Sequence, residues 1–138
     1  MNDASIDLTD PANIQHWITK TIRIADTDAG GHINNTALAA YVKSNRVARL
    51  RSAMFDRAPG ERWVIAYLEI NFRAEATPPD HIRVGTRLVA MGTKSITLGA
   101  SLFKDEACIA TAQSIRVFLN GANMVPISPD IRKTFAIG

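Results

Sequence analysis

Cysteine and histidine are scarce in this chain of 138 residues, which has one cysteine, Cys108, and three histidines. A single cysteine cannot form an internal disulfide, and this usage is typical of a reducing compartment, so we expect a cytoplasmic protein. Cys108 falls inside a predicted strand, where it is expected to be a small core residue. The histidines, His16, His32 and His81, lack the spacing of metal ligands, and we predict no metal site.

Long apolar runs and blocks of like charge are also lacking. No stretch approaches the roughly 20 apolar residues that cross a bilayer, and the polar, acidic N-terminus is unlike a secretory signal. The net charge is only +3, the basic residues are scattered, and no zinc-finger or aromatic RNA-binding pattern occurs. We therefore expect neither a membrane nor a nucleic acid as partner.

Hydrophobic residues make up 46% of the chain, which is enough for one core, so we predict a single domain over residues 1–138 with a loosely ordered leader over residues 1–16. Alternating apolar and polar residues predict five strands, and the short turns between the later ones favour antiparallel pairing. These strands span residues 17–24, 64–76, 82–91, 95–103 and 107–119. Apolar residues at helical spacing predict one long helix from Asn34 to about Met54. The fold class is therefore α+β, with the helix covering one face of the sheet.

The alternation also predicts which strand residues share a face. In the second strand, one face carries every other residue from Val64, namely Val64, Ala66, Leu68, Ile70, Phe72 and Ala74. In the last strand, one face carries Ile109, Thr111, Gln113, Ile115, Val117 and Leu119. An open sheet edge invites pairing, so we also expect a homodimer or a dimer of dimers.

Polar residues are concentrated between the first strand and the helix, from Asp26 to Asn35. Gly30 and Gly31 separate Asp28 from the helix, so Asn34 is better placed than Asp28 to cap it. Adjacent glycines let backbone amides approach a ligand closely. A carboxylate beside free N–H groups at a helix start is an arrangement that suits acyl transfer. Helix capping and an ordinary turn are the structural alternatives, and His32 could be structural or catalytic.

The stretch IADTDAGGHINNTALAAYVKSNRVAR resembles the opening motif of hot dog fold acyl-CoA thioesterases of the 4-hydroxybenzoyl-CoA thioesterase type. The similarity continues through LEINFRAEATPPDHIRVGTRLVAMGTKSITLGASLF and GANMVPISPDIRKTF, over about residues 17–135. The resemblance implies an antiparallel five-stranded sheet wrapped around one long central helix, in a homodimer or homotetramer with active sites at the dimer interface. Basic surface residues would bind the phosphates of CoA, and no cofactor is implied.

The family pattern implies roles for particular residues of this sequence. Asp28 matches the catalytic carboxylate, as nucleophile or general base, and the backbone N–H near Asn35 would polarise the thioester carbonyl. His32 matches a position that assists catalysis in some relatives. Gly30, Gly31 and Asn34 would help to bind the substrate. Arg73 and Lys94 are candidate phosphate contacts.

Two other functions are compatible with the same fold. A non-catalytic acyl-CoA sensor would use the same pocket, although sensors of this kind usually carry an additional output domain. An acyl-thioester hydratase or dehydratase generally requires a histidine paired with an acid on or near the helix, and the predicted helix offers no such carboxylate. Thioester hydrolysis is therefore the leading interpretation.

Overall fold

A computed structural model describes residues 6–14, 16–22, 27, 37, 38, 40, 41, 59–75 and 81–137. Within these residues the chain forms one antiparallel sheet of six strands. The strands are β1 (His16–Thr21), β2 (Glu61–Phe72), β3 (His81–Met91), β4 (Ser95–Lys104), β5 (Ala107–Asn120) and β6 (Asn123–Met124). A short 3₁₀ helix, Pro11–Asn13, precedes β1, and a C-terminal α-helix spans Pro129–Ile137.

The strands follow the order β1-β3-β4-β5-β2 across the sheet, and β6 pairs with the end of β5. Tight turns join β3 to β4 and β4 to β5, as the sequence predicted, and Asp105 in the second turn has a positive φ of 55°. The sequence did not predict β6, which is only two residues long. It follows a turn through Gly121, whose φ of 63° suits glycine. Strand β2 lies at one edge of the sheet and β1 at the other.

The core lies on one face of the sheet, which we call the helix side. Ile82, Val84 and Leu102 are fully buried there, in a cluster that also contains Leu38 and Tyr41. Ala37, Leu38, Ala40 and Tyr41 are helical, and the rest of the helix predicted from Asn34 to Met54 lies outside the described residues. A second cluster is formed where the C-terminal segment covers the other end of the sheet, and its buried members are Ile96, Leu98, Phe118, Ile127 and Ile131.

The register of β2 departs from simple alternation. The pairing of β2 with β5 shifts between Ile65 and Tyr67, so Ala66 is skipped. The prediction that Val64 shares a face with Leu68 is therefore wrong: Val64 pairs with Val117, whereas Leu68 pairs with Ser114, and these two β5 residues point to opposite faces. A bulge adds one residue and reverses the alternation beyond it.

In β5 the buried residues on the helix side include Ala110 and Ala112, which belong to the same cluster as Leu38 and Tyr41. Their short side chains let the helical residues approach the sheet closely. Thr111, by contrast, points to the opposite face of the sheet, which we call the outer face.

The N-terminal segment Ile6–Ile14, which falls within the predicted leader, packs on the outer face. Leu8 and Ile14 are buried there, and Ser101 Oγ donates a hydrogen bond to the carbonyl oxygen of Leu8. Gly99 permits this packing, because a Cβ at that position would lie 2.9 Å from a methyl group of Leu8. A Cβ on Gly85 would likewise collide with Ile14.

Candidate functional site

Most residues of the predicted site lie outside the described part of the chain. These are Asp28, Gly30, Gly31, His32, Asn34 and Asn35. Before and after them in the chain, Ile22 and Ala37 both belong to the buried cluster on the helix side. Thr27, between them, forms a β-bridge. The described residues that flank the predicted catalytic segment therefore lie in one cluster.

Arg73, a predicted phosphate contact, lies just after β2 on the outer face. It borders a cleft of about 330 Å³ between the N-terminal segment and strands β2 and β5. The polar residues that line the cleft are Asp7, Glu69, Asn71, Arg73, Thr111 and Gln113. Arg73 Nε donates a long hydrogen bond of 3.4 Å to the hydroxyl of Thr111 on the cleft floor. We call this the outer cleft.

The charges of the outer cleft are mixed. The pKa of Asp7 is lowered chiefly by hydrogen bonds from the side chain and the backbone N–H of Thr9, with a smaller effect from the positive charge of Arg73. Glu69 accepts a hydrogen bond of 3.2 Å from the hydroxyl of Tyr67, whose pKa is raised by the negative charge of Glu69. With two carboxylates beside one guanidinium, the cleft has no excess positive charge that would by itself select a phosphate.

Lys94, the other predicted phosphate contact, is exposed in the turn between β3 and β4. Its carbonyl oxygen accepts a hydrogen bond of 2.8 Å from the Phe118 N–H, whereas the backbone of Arg73 bonds to Ile109. Ile109 and Phe118 lie near opposite ends of β5, about 30 Å apart at ~3.3 Å per residue. One phosphate group therefore cannot contact both Arg73 and Lys94.

No pattern in the sequence indicated the other members of the outer cleft. Asp7 lies in the predicted leader, far along the chain from Glu69 and Gln113, and no motif links the three. They meet because the N-terminal segment crosses the outer face beside β5. Only a prediction of that packing would have identified the cleft.

Several other classes of site can be checked in the described ranges. Within them, no group of three or more His, Cys, Asp or Glu side chains is arranged to hold a metal ion. No described helix is both long and apolar enough to cross a membrane. Cys108 is half-buried in β5, its Sγ lies 3.6 Å from the carbonyl oxygen of Ala110, and burial raises the pKa of its thiol. A raised pKa disfavours the reactive thiolate, so Cys108 lacks the activation expected of a nucleophile.

Several solved structures of similar shape are named as thioesterases. A thioesterase superfamily protein from Jannaschia sp. CCS1 matches with a TM-score of 0.81 and 24% identity, over 94% of this chain and 86% of that one. A protein described as a predicted thioesterase from Bacillus stearothermophilus matches with a TM-score of 0.80 and 25% identity, over 88% and 93%. A thioesterase complexed with coenzyme A and Zn, from Thermus thermophilus, matches with a TM-score of 0.78 and 22% identity, over 88% and 91%. The antiparallel sheet thus fits the hot dog fold.

The sequence itself matches the family model of the thioesterase-like superfamily over residues 22–135. This match covers most of the chain, and the chain belongs to that superfamily. No curated protein matches the sequence. The resemblance to hot dog fold thioesterases inferred from the sequence is confirmed.

Proposed function

We propose that the protein hydrolyses an acyl thioester, giving a free acid and a thiol. The observation that carries this proposal is the thioesterase-like family match, because it spans residues 22–135 and so includes the polar segment around Asp28 as well as the sheet. The related structures named as thioesterases support the same reaction class. A half-buried free cysteine is compatible with a reducing compartment, and we place the reaction in the cytoplasm.

In the proposed mechanism Asp28 supplies the carboxylate. It either attacks the thioester carbonyl directly or removes a proton from the attacking water. Backbone N–H groups at the start of the helix, near Asn35, stabilise the oxyanion that forms on the carbonyl oxygen. Gly30, Gly31 and Asn34 let the substrate approach those amides, and His32 assists. Collapse of the tetrahedral intermediate expels the thiolate, which leaves as a thiol after protonation. In the route where Asp28 attacks directly, the acyl group is left on the Asp28 carboxylate as an anhydride, and a water molecule then hydrolyses it to release the acid and restore Asp28.

We propose coenzyme A as the carrier of the acyl group, since a similar thioesterase was crystallised with it. Arg73 and Lys94 lie about 30 Å apart along the sheet. They would therefore contact different phosphate groups, or only one of them would contact a phosphate. Lys94 is exposed and has no carboxylate among the neighbours described for it, whereas Arg73 shares the outer cleft with Asp7 and Glu69. Lys94 is therefore the better candidate of the two.

The test of the proposal is thiol release from a panel of acyl-CoAs with short, long and aromatic acyl groups. We expect turnover by the native protein and a loss of about 10²-fold or more in kcat for Asp28→Asn, since that change removes the reacting carboxylate. Asp105→Asn is the matched control, because Asp105 lies in the turn between β4 and β5 at a positive φ that asparagine tolerates. Turnover that survives Asp28→Asn unchanged would contradict the proposed role of Asp28.

The same assay separates the two alternative functions. An acyl-CoA sensor would bind the panel without releasing thiol. A hydratase would change the absorbance of an α,β-unsaturated acyl-CoA, again without releasing thiol. Acyl-CoA binding by Asp28→Asn without turnover, beside an active native protein, would agree with hydrolysis.

We also propose that the protein is a homodimer or a homotetramer. The support is the position of β2, which stands last in the strand order of the described residues, where Tyr67 and Phe72 are both almost half exposed. Large apolar side chains along an unpaired edge favour association. Sedimentation equilibrium of the purified protein would give the assembly directly, and a monomer at micromolar concentration would contradict this part of the proposal.

A further inference from the structure

The outer cleft is a trough whose floor is formed by strand β5. Thr111 and Gln113 lie on that floor. They pair with Asn71 and Glu69 of β2, so β2 forms one wall, and residues 6–8 of the N-terminal segment form the other. A volume of about 330 Å³ is at the lower end of the range for small-molecule sites, so the trough suits a small ligand.

Three charged side chains are distributed along the trough. Glu69 and Arg73 stand on the β2 wall, four residues apart, and their Cα atoms are separated by about 13 Å at ~3.3 Å per residue. Asp7 stands on the opposite wall. The pKa of Asp7 is lowered by hydrogen bonds from Thr9 and, to a smaller extent, by the positive charge of Arg73, so these two charged groups lie near each other. One end of the trough therefore has a carboxylate facing a guanidinium, and the other end has a second carboxylate.

Both carboxylates keep an oxygen for a ligand. Asp7 Oδ1 accepts hydrogen bonds of 2.9 and 2.6 Å from the backbone N–H and the hydroxyl of Thr9, and none of the hydrogen bonds described reaches Oδ2. Glu69 accepts one bond of 3.2 Å, on Oε2, from the hydroxyl of Tyr67. These bonds hold each carboxylate in place and leave its other oxygen able to accept a proton donor from the trough.

The Arg73 end offers donors to an anion. Arg73 Nε donates one long hydrogen bond of 3.4 Å to the hydroxyl of Thr111, and within the described part of the chain Arg73 forms no ion pair with Asp7 or Glu69. Thr111 is only 4% exposed, and its hydroxyl accepts that bond while its own proton stays available. A buried donor without an acceptor is unfavourable, so an oxygen acceptor of a ligand is favoured at this point.

We propose that the outer cleft binds a free diamino acid, of the chemical class of lysine and ornithine. The carboxylate of the ligand accepts hydrogen bonds from the guanidinium of Arg73 and the hydroxyl of Thr111. The α-ammonium group faces Asp7 across the trough. The ligand side chain runs along the floor, and its terminal ammonium group reaches Glu69.

The ligand matches the cleft in the number and the spacing of charges. Two carboxylates and one guanidinium meet two ammonium groups and one carboxylate, so every charge has an opposite partner. A monoamino acid would leave Glu69 without a partner, and a diamine would leave Arg73 without one. The two nitrogen atoms of an extended lysine are about 7 Å apart at standard bond lengths. This is shorter than the separation of the Glu69 and Arg73 Cα atoms and leaves room for both side chains to approach the ligand.

This site is separate from the proposed hydrolysis. The outer cleft lies on the outer face of the sheet, whereas Ile22 and Ala37, which flank the segment around Asp28, lie on the helix side. The diamino acid is therefore a second ligand and not the thioester that is hydrolysed.

Titrations followed by two-dimensional amide NMR test the site, because they report both affinity and location. With free lysine we expect a dissociation constant of about 1 mM, since exposed ion pairs are individually weak, and shifts of the amide signals of Asp7, Thr111 and Gln113. Norleucine lacks the second ammonium group and cadaverine lacks the carboxylate, and each is expected to bind about fivefold more weakly than lysine. Nα-acetyl-lysine amide represents a lysine residue within a polypeptide, and we expect it to bind at least about tenfold more weakly.

Charge-removing variants assign each contact. Glu69→Gln should raise the dissociation constant of lysine about fivefold and leave that of norleucine unchanged. Arg73→Gln should weaken the binding of lysine and norleucine and leave that of cadaverine unchanged. Glu106→Gln is the matched control, because this exposed residue lies in the turn between β4 and β5, and it should bind lysine as the native protein does.

Three results would overturn the proposal. Equal affinities for lysine and norleucine would show that Glu69 binds no ammonium group. Nα-acetyl-lysine amide that binds as tightly as lysine would replace the free diamino acid by a lysine side chain of another protein. No shift of the cleft amides at about 20 mM lysine, well above the expected dissociation constant, would rule out the site. None of these readouts uses thiol release, so this site and the proposed hydrolysis can fail independently.

Discussion

Arg116 illustrates how a single side chain can oppose the stability of this sheet. It lies on the helix side of β5, where it pairs across the strands with Ile65 and Ile96. Its Nε is buried and has no hydrogen-bond partner in the part of the chain that the structure describes, and burial lowers the pKa of its guanidinium. A buried donor without an acceptor loses the free energy of its hydration without compensation.

We therefore predict that Arg116→Met stabilises the protein. Methionine keeps a long flexible side chain for packing and removes the buried donor, so we expect the free energy of unfolding to rise by about 1 kcal/mol. Arg62→Met is the control with the opposite expected effect. Arg62 donates hydrogen bonds of 3.2 and 3.1 Å to the carbonyl oxygen of Gly121, so its loss should lower the free energy of unfolding. Urea denaturation of both variants measures the change, and a less stable Arg116→Met would contradict the prediction.

Cys108 gives a prediction about pH. Burial raises the pKa of its thiol, so the folded protein holds the thiol proton more tightly than the unfolded chain does. The thiolate reacts with disulfide reagents, and we expect slow labelling near pH 8 that accelerates when denaturant unfolds the chain. Below the pKa of the thiol in the unfolded chain, this thiol makes its full contribution to the free energy of unfolding. That contribution is lost as the pH rises through the pKa of the thiol in the folded protein.

Labelling by Ellman's reagent over pH 7–10, with and without denaturant, measures this difference. Cys108→Ser identifies the signal from this thiol, since the chain has no other cysteine. Equal labelling rates in the folded and unfolded protein near pH 8 would show that burial does not protect Cys108.

At the scale of elements, the N-terminal segment Ile6–Ile14 acts as a cover for the outer face. Leu8 is buried over Gly99, and its carbonyl oxygen accepts a hydrogen bond from the buried hydroxyl of Ser101. We predict that Leu8→Ala lowers the free energy of unfolding by about 2 kcal/mol, the low end of the usual range because a terminal segment can relax into the space. Thermal denaturation followed by circular dichroism measures the loss.

Thr9→Ala is the control for Leu8→Ala. Thr9 is half-buried, and its hydroxyl bonds only to the exposed carboxylate of Asp7 among the hydrogen bonds described for it. We expect a change below about 0.5 kcal/mol, as is usual for a surface substitution. Equal losses for the two variants would show that the burial of Leu8 does not anchor the segment.

The elements differ in how well the sequence predicts them. In β3 the alternation holds from Ile82 to Leu88, with Ile82 and Val84 buried together with Leu102, but the pairing with β4 shifts between Leu88 and Ala90. In β2 every position from Val64 to Phe72 is compatible with a strand, and no residue type marks the bulge at Ala66. The N-terminal segment was expected to be part of a loosely ordered leader with a turn at Pro11. Its burial depends on two glycines, Gly85 and Gly99, that lie far along the chain.

At the scale of the whole molecule, the candidate site has a part that the sequence predicts and a part that it does not. The polar segment from Asp28 to Asn35 is local in sequence, so its composition and the helix that follows it indicated acyl transfer, and that function stays a prediction. The outer cleft joins Asp7 to Arg73 through tertiary packing. Contacts of that kind carry no local signal, since each residue type is ordinary on a protein surface.

The proposed dimer makes a prediction for the whole molecule, because the folded state would then be stabilised by association. Unfolding of a dimer to two unfolded chains shifts by about 1.4 kcal/mol for each tenfold change in protein concentration. With an unfolding entropy of roughly 2.1 cal/mol/K per residue, two chains of 138 residues should melt about 2 °C higher for each tenfold increase. Differential scanning fluorimetry between about 1 and 100 μM would detect this slope of Tm. A Tm that does not vary with concentration in the native protein would mean that the edge of β2 does not hold two copies together.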